Sequence, residues 1–289
     1  MGNIIKPQKC LHLHLEEKKK RPKITGRYIV TCKFDGWYGY IDYIDGEWGK
    51  VTSSSGREIP SLLWARQVFQ ELTPESDIRL IFEIVIPEQP FHILNGILNR
   101  SVGNCQATDA RFYIHDMVDF KYPAEALTRT IFLKGLDLSE VDKYIQLIPV
   151  LAITDNKEVW MEHFKEITDR GGEGIILKQA SGLYQPDKRN SSLMKVKLES
   201  TFDLECFDMF HTVGDKGHDN LNVSLRRKNG AVITVRIPKD EDRELFELNP
   251  DAILGKVVEV KCMCELEGGS LREPRFVGVR HDKSLKEID

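Results

Sequence analysis

The sequence predicts an α+β protein with two domains, a larger domain of antiparallel sheets with flanking helices and a small β-barrel after it. Three observations lead to this prediction. Residues 1–200 mix strand and helix patterns, and residues 201–289 carry strand patterns almost throughout. A chain of 289 residues also suits one large and one small domain. We therefore predict the domain boundary between residues 200 and 201.

The composition is that of a globular chain. Hydrophobic residues make up 41% of the sequence, enough for ordinary cores, which excludes a disordered protein. The net charge of -4 does not exclude a nucleic-acid partner, because phosphate contact needs only a local basic face. Residues Met1 to Arg21 contain no apolar signal core, and no run approaches a membrane span. The protein is therefore expected to be soluble, intracellular and cytoplasmic, without a membrane partner.

Cysteine spacing argues against a structural metal. The six cysteines are scattered, and no two of them form a C-x-x-C pair. A structural zinc site is therefore not expected. Reduced thiols of a cytosolic protein are the simplest interpretation.

Strand patterns dominate the first domain after an arm of about 25 residues, which we expect to be poorly ordered or packed on an edge. Asp45-Gly46 lies between two such patterns and predicts a tight hairpin. A single carboxylate, Glu83, interrupts an otherwise apolar run. The predicted strands cover residues 27–34, 38–44, 48–52, 78–86, 110–118, 173–178 and 193–198.

Three helices are predicted in the same domain. Pro60 opens the first, with Leu63, Val68 and Leu72 near one face. Ser139 is predicted to cap the second, which carries Val141, Tyr144, Ile145 and Ile148. Asp155 is predicted to cap the third, with Glu158 three residues later and an end at Gly171-Gly172.

The second domain is predicted to be a five-stranded barrel, such as an OB-fold. Asn229-Gly230 predicts a type I′ turn between its second and third strands. A helix is predicted over residues 240–248, and residues 211–220 form a long polar insert. The predicted strands cover residues 204–210, 222–228, 231–237, 256–266 and 276–280.

Lys33 is the candidate nucleophile. It ends an apolar strand pattern and is followed by Asp35-Gly36. A partly desolvated amine is more easily neutral, and Gly36 allows a ligand to approach the backbone closely. The pattern alone is weak, because a lysine whose amine reaches solvent beside a turn gives the same sequence.

Two carboxylates stand in unusual positions. Glu83 lies in an apolar strand and needs a partner, which is either a neighbouring base or a ligand such as a sugar hydroxyl or a metal. Glu173 is flanked by glycines where a helix gives way to a strand. This position suits a divalent metal, although a helix C-cap followed by an ordinary strand explains the glycines equally well.

Two basic patterns indicate an anionic ligand. Lys195 and Lys197 lie two residues apart, so a strand places both amines on one face. A phosphate between them relieves their repulsion, and a solvated edge strand is the alternative. The basic tail over residues 271–283 suits a nucleic-acid or polyphosphate contact, or simply a charged terminal strand.

Together these residues resemble the covalent nucleotidyltransferase superfamily of DNA ligases, RNA ligases and mRNA capping enzymes. Five motifs occur in the family's order between about Thr31 and Lys283, nearly the whole chain. The last of them is similar to that of ATP-dependent DNA ligases in particular. The motifs are Lys33-Phe-Asp-Gly36, Phe82-Glu83-Ile84, Glu173-Gly-Ile-Ile-Leu-Lys178, Lys195-Val-Lys197, and Leu271-Arg-Glu-Pro-Arg-Phe276 with Arg280-His-Asp-Lys283.

The resemblance implies a minimal ligase with an adenylation domain over residues 1–200 and an OB-fold over residues 201–289. Lys33 would attack ATP and carry AMP as a phosphoramidate, with Asp35 in the catalytic set. Glu173 would hold Mg²⁺ or Mn²⁺, and Lys195 and Lys197 would hold the α-phosphate.

The resemblance also implies how the nucleotide is recognised. Thr31 would read the adenine edge, and His115 would stack on the adenine ring, with Tyr113 as a near alternative. Glu83 would both bind the ribose and belong to the catalytic set. Arg280 and Lys283 would orient the leaving pyrophosphate.

The sequence departs from the family pattern at two arginine positions. Tyr38 stands where the family usually has an arginine two residues after Gly36. The next serine–arginine motif reads Ser53-Ser-Ser-Gly56, so Ser54 replaces the second arginine and Arg57 is the nearest substitute. Lys50 or Arg57 is a candidate to supply the missing charge.

We therefore predict an ATP-dependent DNA ligase that seals nicks with a 5′-phosphate and a 3′-hydroxyl in duplex DNA. Such an enzyme acts in DNA repair, replication or recombination, and we expect a monomer. An RNA ligase or a GTP-using capping enzyme is the alternative that the missing arginines keep open. A nucleic-acid-binding module without catalysis is a third, against which the intact Lys33 argues.

Overall fold

A computed structural model describes residues 6–13, 22, 24–89, 91–100, 106–214, 217–266 and 268–289. The chain divides into two compact units, Met1–Lys197 and Leu198–Asp289. The division falls between residues 197 and 198, whereas the sequence suggested 200 and 201.

The first unit is built mainly from strands, with α-helices between them. Its strands are β1 Lys9–His12, β2 Tyr28–Cys32, β3 Trp37–Ile44, β4 Glu47–Trp48, β5 Thr52–Ser53, β6 Ile78–Val85, β7 Arg111–Asp119, β8 Ile145–Leu147, β9 Val150–Thr154, β10 Gly174–Gln179 and β11 Arg189–Lys197. Its α-helices are α1 Ala65–Phe69, α2 Phe91–Leu98, α3 Ala126–Lys134 and α4 Lys157–Asp169.

These strands form two sheets. The first has the order β1-β11-β10-β2-β9, and the second has the order β4-β3-β6-β7-β8 with β5 beside β3. Trp160 and Phe164 of α4 pack on the first sheet, whereas α1, α2 and α3 contribute side chains to the larger core of the second. Burying these apolar faces is the main favourable term in folding the unit.

The described part of the N-terminal arm that contains β1 is packed on a sheet edge, one of the two outcomes predicted for the arm. β1 pairs in parallel with β11, and Leu13 directly after it is 2% exposed. Residues 1–5, 14–21 and 23 of the arm lie outside the described residues.

The hairpin predicted at Asp45-Gly46 is confirmed. Ile44 pairs with Glu47, so the loop has two residues. Asp45 and Gly46 have φ values of 51° and 84°, as a type I′ turn requires.

The helix predicted after Ser139 is wrong. The chain makes turns there and then enters β8, which pairs in parallel with β7. The Phe112 amide donates to the Tyr144 carbonyl at 2.7 Å, so long-range pairing overrides the local helical pattern. The helix predicted at Pro60 is divided into a 3-10 helix, Pro60–Leu62, and α1.

The third predicted helix is present as α4, with a different cap. The side chain of Asn156, rather than Asp155, accepts a hydrogen bond from the Glu158 amide at 2.8 Å. The helix ends before Gly171, which has a φ of 82°, as predicted from the glycine pair. α2 and α3 were not predicted.

The second unit is a curled sheet with one α-helix. Its main sheet has the order β14-β13-β12-β15-β18, and β14 also approaches β18, as in a closing barrel. Its elements are β12 Ser200–Val213, β13 Asp219–Arg226, β14 Val232–Arg236, α5 Asp240–Leu248, β15 Val257–Cys262, β16 Cys264–Glu265, β17 Leu271–Arg272 and β18 Arg275–Val279. Strand and helix positions agree with the prediction to within a few residues.

Two details of this unit differ from the prediction. The Asn229-Gly230 turn is not type I′, because only Gly230 has a positive φ, of 85°. The Gly230 amide donates to the Arg227 carbonyl, which makes a longer loop that ends on glycine. The polar insert at His211 is mostly hairpin, because β12 runs to Val213 and β13 begins at Asp219.

No helix in the described part of the chain is both long and apolar enough to cross a membrane. Five cysteines within that part are free thiols, namely Cys10, Cys32, Cys206, Cys262 and Cys264. Cys105 lies outside it.

Candidate active site

An open cavity of about 210 Å³ lies between the two sheets of the first unit. Side chains from β1, β2, β10 and β11 line it from one sheet, and side chains from β3, β6 and β7 line it from the other. The sequence-predicted residues that line it are Thr31, Lys33, Glu83, His115 and Lys195.

Lys33 and Glu173 form an ion pair at this cavity. The Lys33 ammonium donates to Glu173 Oε2 at 2.6 Å, and their side chains are only 21% and 10% exposed. The Lys33 amide also donates to the Gly174 carbonyl at 2.9 Å. Gly174 has a φ of 145°, and a Cβ there would lie 2.1 Å from the Val196 carbonyl oxygen. Only glycine allows this approach, which sets Glu173 beside the amine.

Gly36 brings the loop after Lys33 against β6. A Cβ at Gly36 would lie 2.8 Å from the Ile84 carbonyl oxygen and 3.1 Å from the Glu83 Cβ. The same strand carries Glu83 into the cavity. Close packing against β6 therefore already requires glycine at this position. Its role in letting a ligand approach the backbone is an additional expectation from the sequence.

Glu83 is a carboxyl group in an apolar place. Burial, with a smaller contribution from the Glu173 charge, raises its pKa to about 7 against the opposing effect of the Lys33 ammonium. The side chain is thus divided between its neutral and charged forms near neutral pH, which is common for groups in functional sites.

Glu83→Gln should change the pH dependence of stability. Since the folded pKa of about 7 exceeds the ordinary value of 4.5, this carboxyl lowers the free energy of unfolding as pH rises through that window. Glutamine does not ionise. The free energy of unfolding of the variant, measured relative to that of the wild type, should therefore rise by roughly 2–3 kcal/mol between pH 4 and pH 8. Urea unfolding across this range measures the gain. The exposed control Glu162→Gln should show none, and a Glu83→Gln difference that is constant with pH would contradict the assignment.

Lys33 and Lys195 place ammonium groups at the cavity, and Lys197 lies near Lys195 on the same strand. Burial lowers the pKa of Lys195, and the Lys197 and Lys33 charges lower it further. Lys195 lines the cavity, while Lys197 is buried next to it on β11. Positively charged groups that lie close together are stabilised by an anion between them. Phosphate is the anion that most commonly binds such groups.

His115 presents an uncharged ring to the cavity. Burial and, to a smaller extent, the neighbouring Lys178 ammonium together lower its pKa to about 4. Thr31 lines the same cavity from β2. A neutral ring and a hydroxyl are compatible with the base of a nucleotide.

A buried ion cluster lies next to His115 and was not predicted from the sequence. Arg129 donates to both oxygens of Asp116 at 2.8 and 3.1 Å, and Lys178 lies 2.9 Å from Asp116 Oδ2. Lys178 also donates to the His115 carbonyl at 2.6 Å. In the sequence, Lys178 is only the last residue of the Glu173 motif, and Asp116 and Arg129 give no signal. The three residues come from β7, α3 and β10, which are far apart along the chain. Gln8, Cys10 and Tyr184, which also line the cavity, gave no sequence signal.

Other predicted residues lie away from the cavity lining. Asp35 is exposed, although its charge contributes to the raised pKa of Glu83. Lys50 pairs with Glu58 at 2.9 Å, and Arg57 contacts the Ser55 hydroxyl at 3.4 Å. Neither basic residue lines the cavity, so the structure gives no support to their replacing the missing arginines.

Arg280 and Lys283 lie in the second unit, where both contact the buried carboxylate of Asp203. Lys283 donates to Asp203, and Arg280 approaches it at 3.5 Å. Asp282 also binds Arg280 through two hydrogen bonds of 2.8 and 2.7 Å. These bonds fix both cations at the end of β18.

The donor set suits a cation that arrives with a ligand. Among the described residues, no group of three or more histidine, cysteine, aspartate or glutamate side chains forms a metal cage. Mg²⁺ is usually bound through one or two carboxylates together with substrate phosphates. Glu173, nearly buried beside Lys33, supplies one such carboxylate.

Sequence comparison identifies the relatives of this chain. Residues 104–197 match the family model of the ATP dependent DNA ligase domain. A DNA ligase from Methanospirillum hungatei JF-1 is 27% identical over 225 residues, which cover 69% of this chain and 41% of that protein. The chain thus spans less than half the length of this relative. The resemblance to ATP-dependent DNA ligases is confirmed.

Solved structures share the fold. A structure named Pmar-Lig_Pre has a TM-score of 0.76 at 20% identity, covering 96% of this chain and 68% of its own. A structure from a study of Lig E DNA ligases has a TM-score of 0.73 at 18% identity, covering 95% and 99%. The bacteriophage T7 ATP-dependent DNA ligase in complex with ATP has a TM-score of 0.56 at 15% identity, covering 96% and 99%. The predicted α+β fold with an OB-like barrel is confirmed.

Proposed function

We propose that this chain, whose residues 104–197 match an ATP-dependent DNA ligase domain, seals nicks in duplex DNA through a lysyl-AMP at Lys33. The observation that carries the proposal is the Lys33 amine beside Glu173 and the ammonium groups of Lys195 and Lys197, at a cavity between two sheets. This arrangement suits attack on a phosphate.

In the first step, Lys33 Nζ attacks the α-phosphorus of ATP. A nitrogen–phosphorus bond forms, and the bond from the α-phosphorus to the bridging oxygen breaks, so that pyrophosphate leaves. The amine must lose a proton, and Glu173 Oε2 at 2.6 Å is the acceptor within reach. The chain contributes mainly positioning and charge stabilisation.

The remaining cavity residues hold the nucleotide. Lys195 and Lys197 stabilise the negative charge on the α-phosphate, and the neutral ring of His115 stacks on the base, whose edge Thr31 contacts. Glu83 binds the ribose. A divalent cation, Mg²⁺ or Mn²⁺, at Glu173 and the phosphates would screen charge and weaken the ion pair that holds the Lys33 proton.

The second unit contributes Arg280 and Lys283, which act on the leaving pyrophosphate. An oxygen of the 5′-phosphate at the nick then attacks the phosphorus of lysyl-AMP. An oxygen–phosphorus bond forms, the nitrogen–phosphorus bond breaks, and the Lys33 amine takes up a proton. The 3′-hydroxyl attacks the 5′-phosphate, a phosphodiester bond forms, and AMP leaves. We propose that the protein does this as a soluble cytoplasmic monomer in DNA repair, replication or recombination.

Incubation with ATP labelled at the α-phosphate, followed by nicked DNA, tests this function. We expect one label per protein, its transfer to the DNA 5′-end, and a sealed strand. GTP should leave the protein unlabelled, and a nick in RNA should be sealed more slowly. Labelling by GTP alone, or faster sealing of RNA, would favour a capping enzyme or an RNA ligase.

The alternatives have less support. The Leu271-Arg-Glu-Pro-Arg-Phe276 motif and the matched family favour DNA over RNA. A non-catalytic binding module does not need the ion pair between Lys33 and Glu173. Absence of label on the protein, together with retained DNA binding, would support that module.

A further inference from the structure

Tyr38 occupies an unusual position on the wall of the cavity. It lies on β3 directly opposite Glu83 of β6 in the strand pairing, so both side chains are on one face of the sheet. Both side chains line the cavity that Lys33 also lines. The arginine that the family usually has at this position carries a positive charge. Tyrosine replaces that charge with a neutral ring and a hydroxyl group on this wall of the cavity.

The Tyr38 hydroxyl is buried, and no hydrogen bond of normal geometry reaches it from the described residues. A buried hydroxyl without a partner is unfavourable, and such groups usually serve a bound ligand or water. We therefore expect a molecule bound in the cavity to be the hydrogen-bond partner of this hydroxyl.

Two neighbours define the surroundings of this hydroxyl. Burial raises the pKa of Tyr38, and the nearby Tyr184 hydroxyl raises it further through its charge and a weak hydrogen-bond contact. That contact falls outside normal hydrogen-bond geometry, so it does not satisfy the Tyr38 hydroxyl. The Tyr184 hydroxyl instead accepts the Gln8 amide at 3.0 Å. The His115 ring lies 6.3 Å from the Tyr38 ring, centroid to centroid. Tyr38 thus stays protonated at neutral pH and offers a neutral O–H donor.

We propose that Tyr38 donates a hydrogen bond to a ribose hydroxyl oxygen, at the 2′ or the 3′ position, of the nucleotide bound in this cavity. The proposal rests on the proposed function, which places a nucleotide there with its ribose at Glu83. Ribose is favoured over phosphate as the partner because Tyr38 is opposite Glu83, the residue proposed to bind the ribose. Lys195 and Lys197, which we assign to the phosphate, are on β11. A neutral hydroxyl also matches a neutral sugar oxygen better than a phosphate already surrounded by lysines.

Tyr38→Phe removes only the hydroxyl and keeps the ring. We expect it to weaken ATP binding about fivefold, the range for one neutral hydrogen bond. The wild type should bind either 2′-deoxy-ATP or 3′-deoxy-ATP more weakly than ATP by a similar factor. One of the two analogues lacks the oxygen that accepts the hydrogen bond from Tyr38. The variant and the wild type should bind that analogue equally well.

Calorimetric titration without divalent cations measures these affinities separately from catalysis. The control is Tyr43→Phe, on the same strand but outside the cavity, where the ring packs 5.1 Å from Trp48. This control should leave every affinity unchanged. Urea unfolding of both variants confirms that they fold.

The outcomes separate this proposal from the proposed function. An unchanged ATP affinity in Tyr38→Phe, or the same loss with ATP and with both deoxy analogues, overturns the ribose contact. If the predicted pattern appears but the wild type never forms lysyl-AMP, the ligase function fails and the contact stands. If the wild type binds no nucleotide, both fail.

Discussion

Lys33→Ala is expected to abolish the transfer of label from ATP to the protein, a loss of about 10⁴-fold or more. The phosphoramidate requires the amine, and alanine offers no other nucleophile at that place. Mass spectrometry should show the wild type gaining the mass of one AMP and the variant gaining nothing. Sealing of a nick that already carries AMP should be reduced far less, because that step does not need the lysine nitrogen.

Two further variants make this result specific. Lys33→Arg keeps the positive charge beside Glu173 and should also fail to take label, because a guanidinium is a poor nucleophile. Lys50→Ala removes an exposed lysine that pairs with Glu58, and it should be labelled normally. Retained label on Lys33→Ala would refute the assignment of the nucleophile.

Asp116→Asn is expected to lower the free energy of unfolding by about 3–5 kcal/mol at pH 7. Asparagine has nearly the same shape, but it leaves the buried cations of Arg129 and Lys178 without their counter-charge. Urea unfolding measures the loss. The exposed control Asp142→Asn should change stability by about 0.5 kcal/mol or less.

The same variant should change the response to acid. The Lys178 and Arg129 charges hold the pKa of Asp116 well below its ordinary value, against the effect of burial. Its contribution is therefore complete above an unfolded pKa of about 4 and is lost as pH falls below that value. Asp116→Asn should lack this part of the acid dependence. Parallel curves for wild type and variant between pH 5 and pH 2 would contradict the role of the ion cluster.

Several features could be predicted from the sequence because they depend on short segments. The Asp45-Gly46 hairpin needs two residues that accept positive φ, and the sequence shows both. The order of Lys33, Glu173 and Lys195 also suggested one site. Lys33 and Lys195 line one cavity, and Glu173 pairs with Lys33. Their catalytic roles remain predictions.

Other features depend on pairing between distant segments, which no local pattern contains. Residues 141–148 have a helical pattern, yet β8 forms because β7 offers it a strand edge. Arg129 gives no signal in the sequence, and its role becomes clear only when the structure places Asp116 and Lys178 next to it. The unpartnered Tyr38 hydroxyl likewise becomes visible only when the surrounding wall is known.

The parallel pairing of β1 with β11 bears on the order of events during translation. His12 pairs with Lys195, and Cys10 on the same strand lines the cavity. The ribosome must therefore release almost the entire first unit before this wall can form. Nascent chains should therefore be unable to bind ATP until β11 has left the ribosome. A truncated chain that ends before β11 should not bind the nucleotide either.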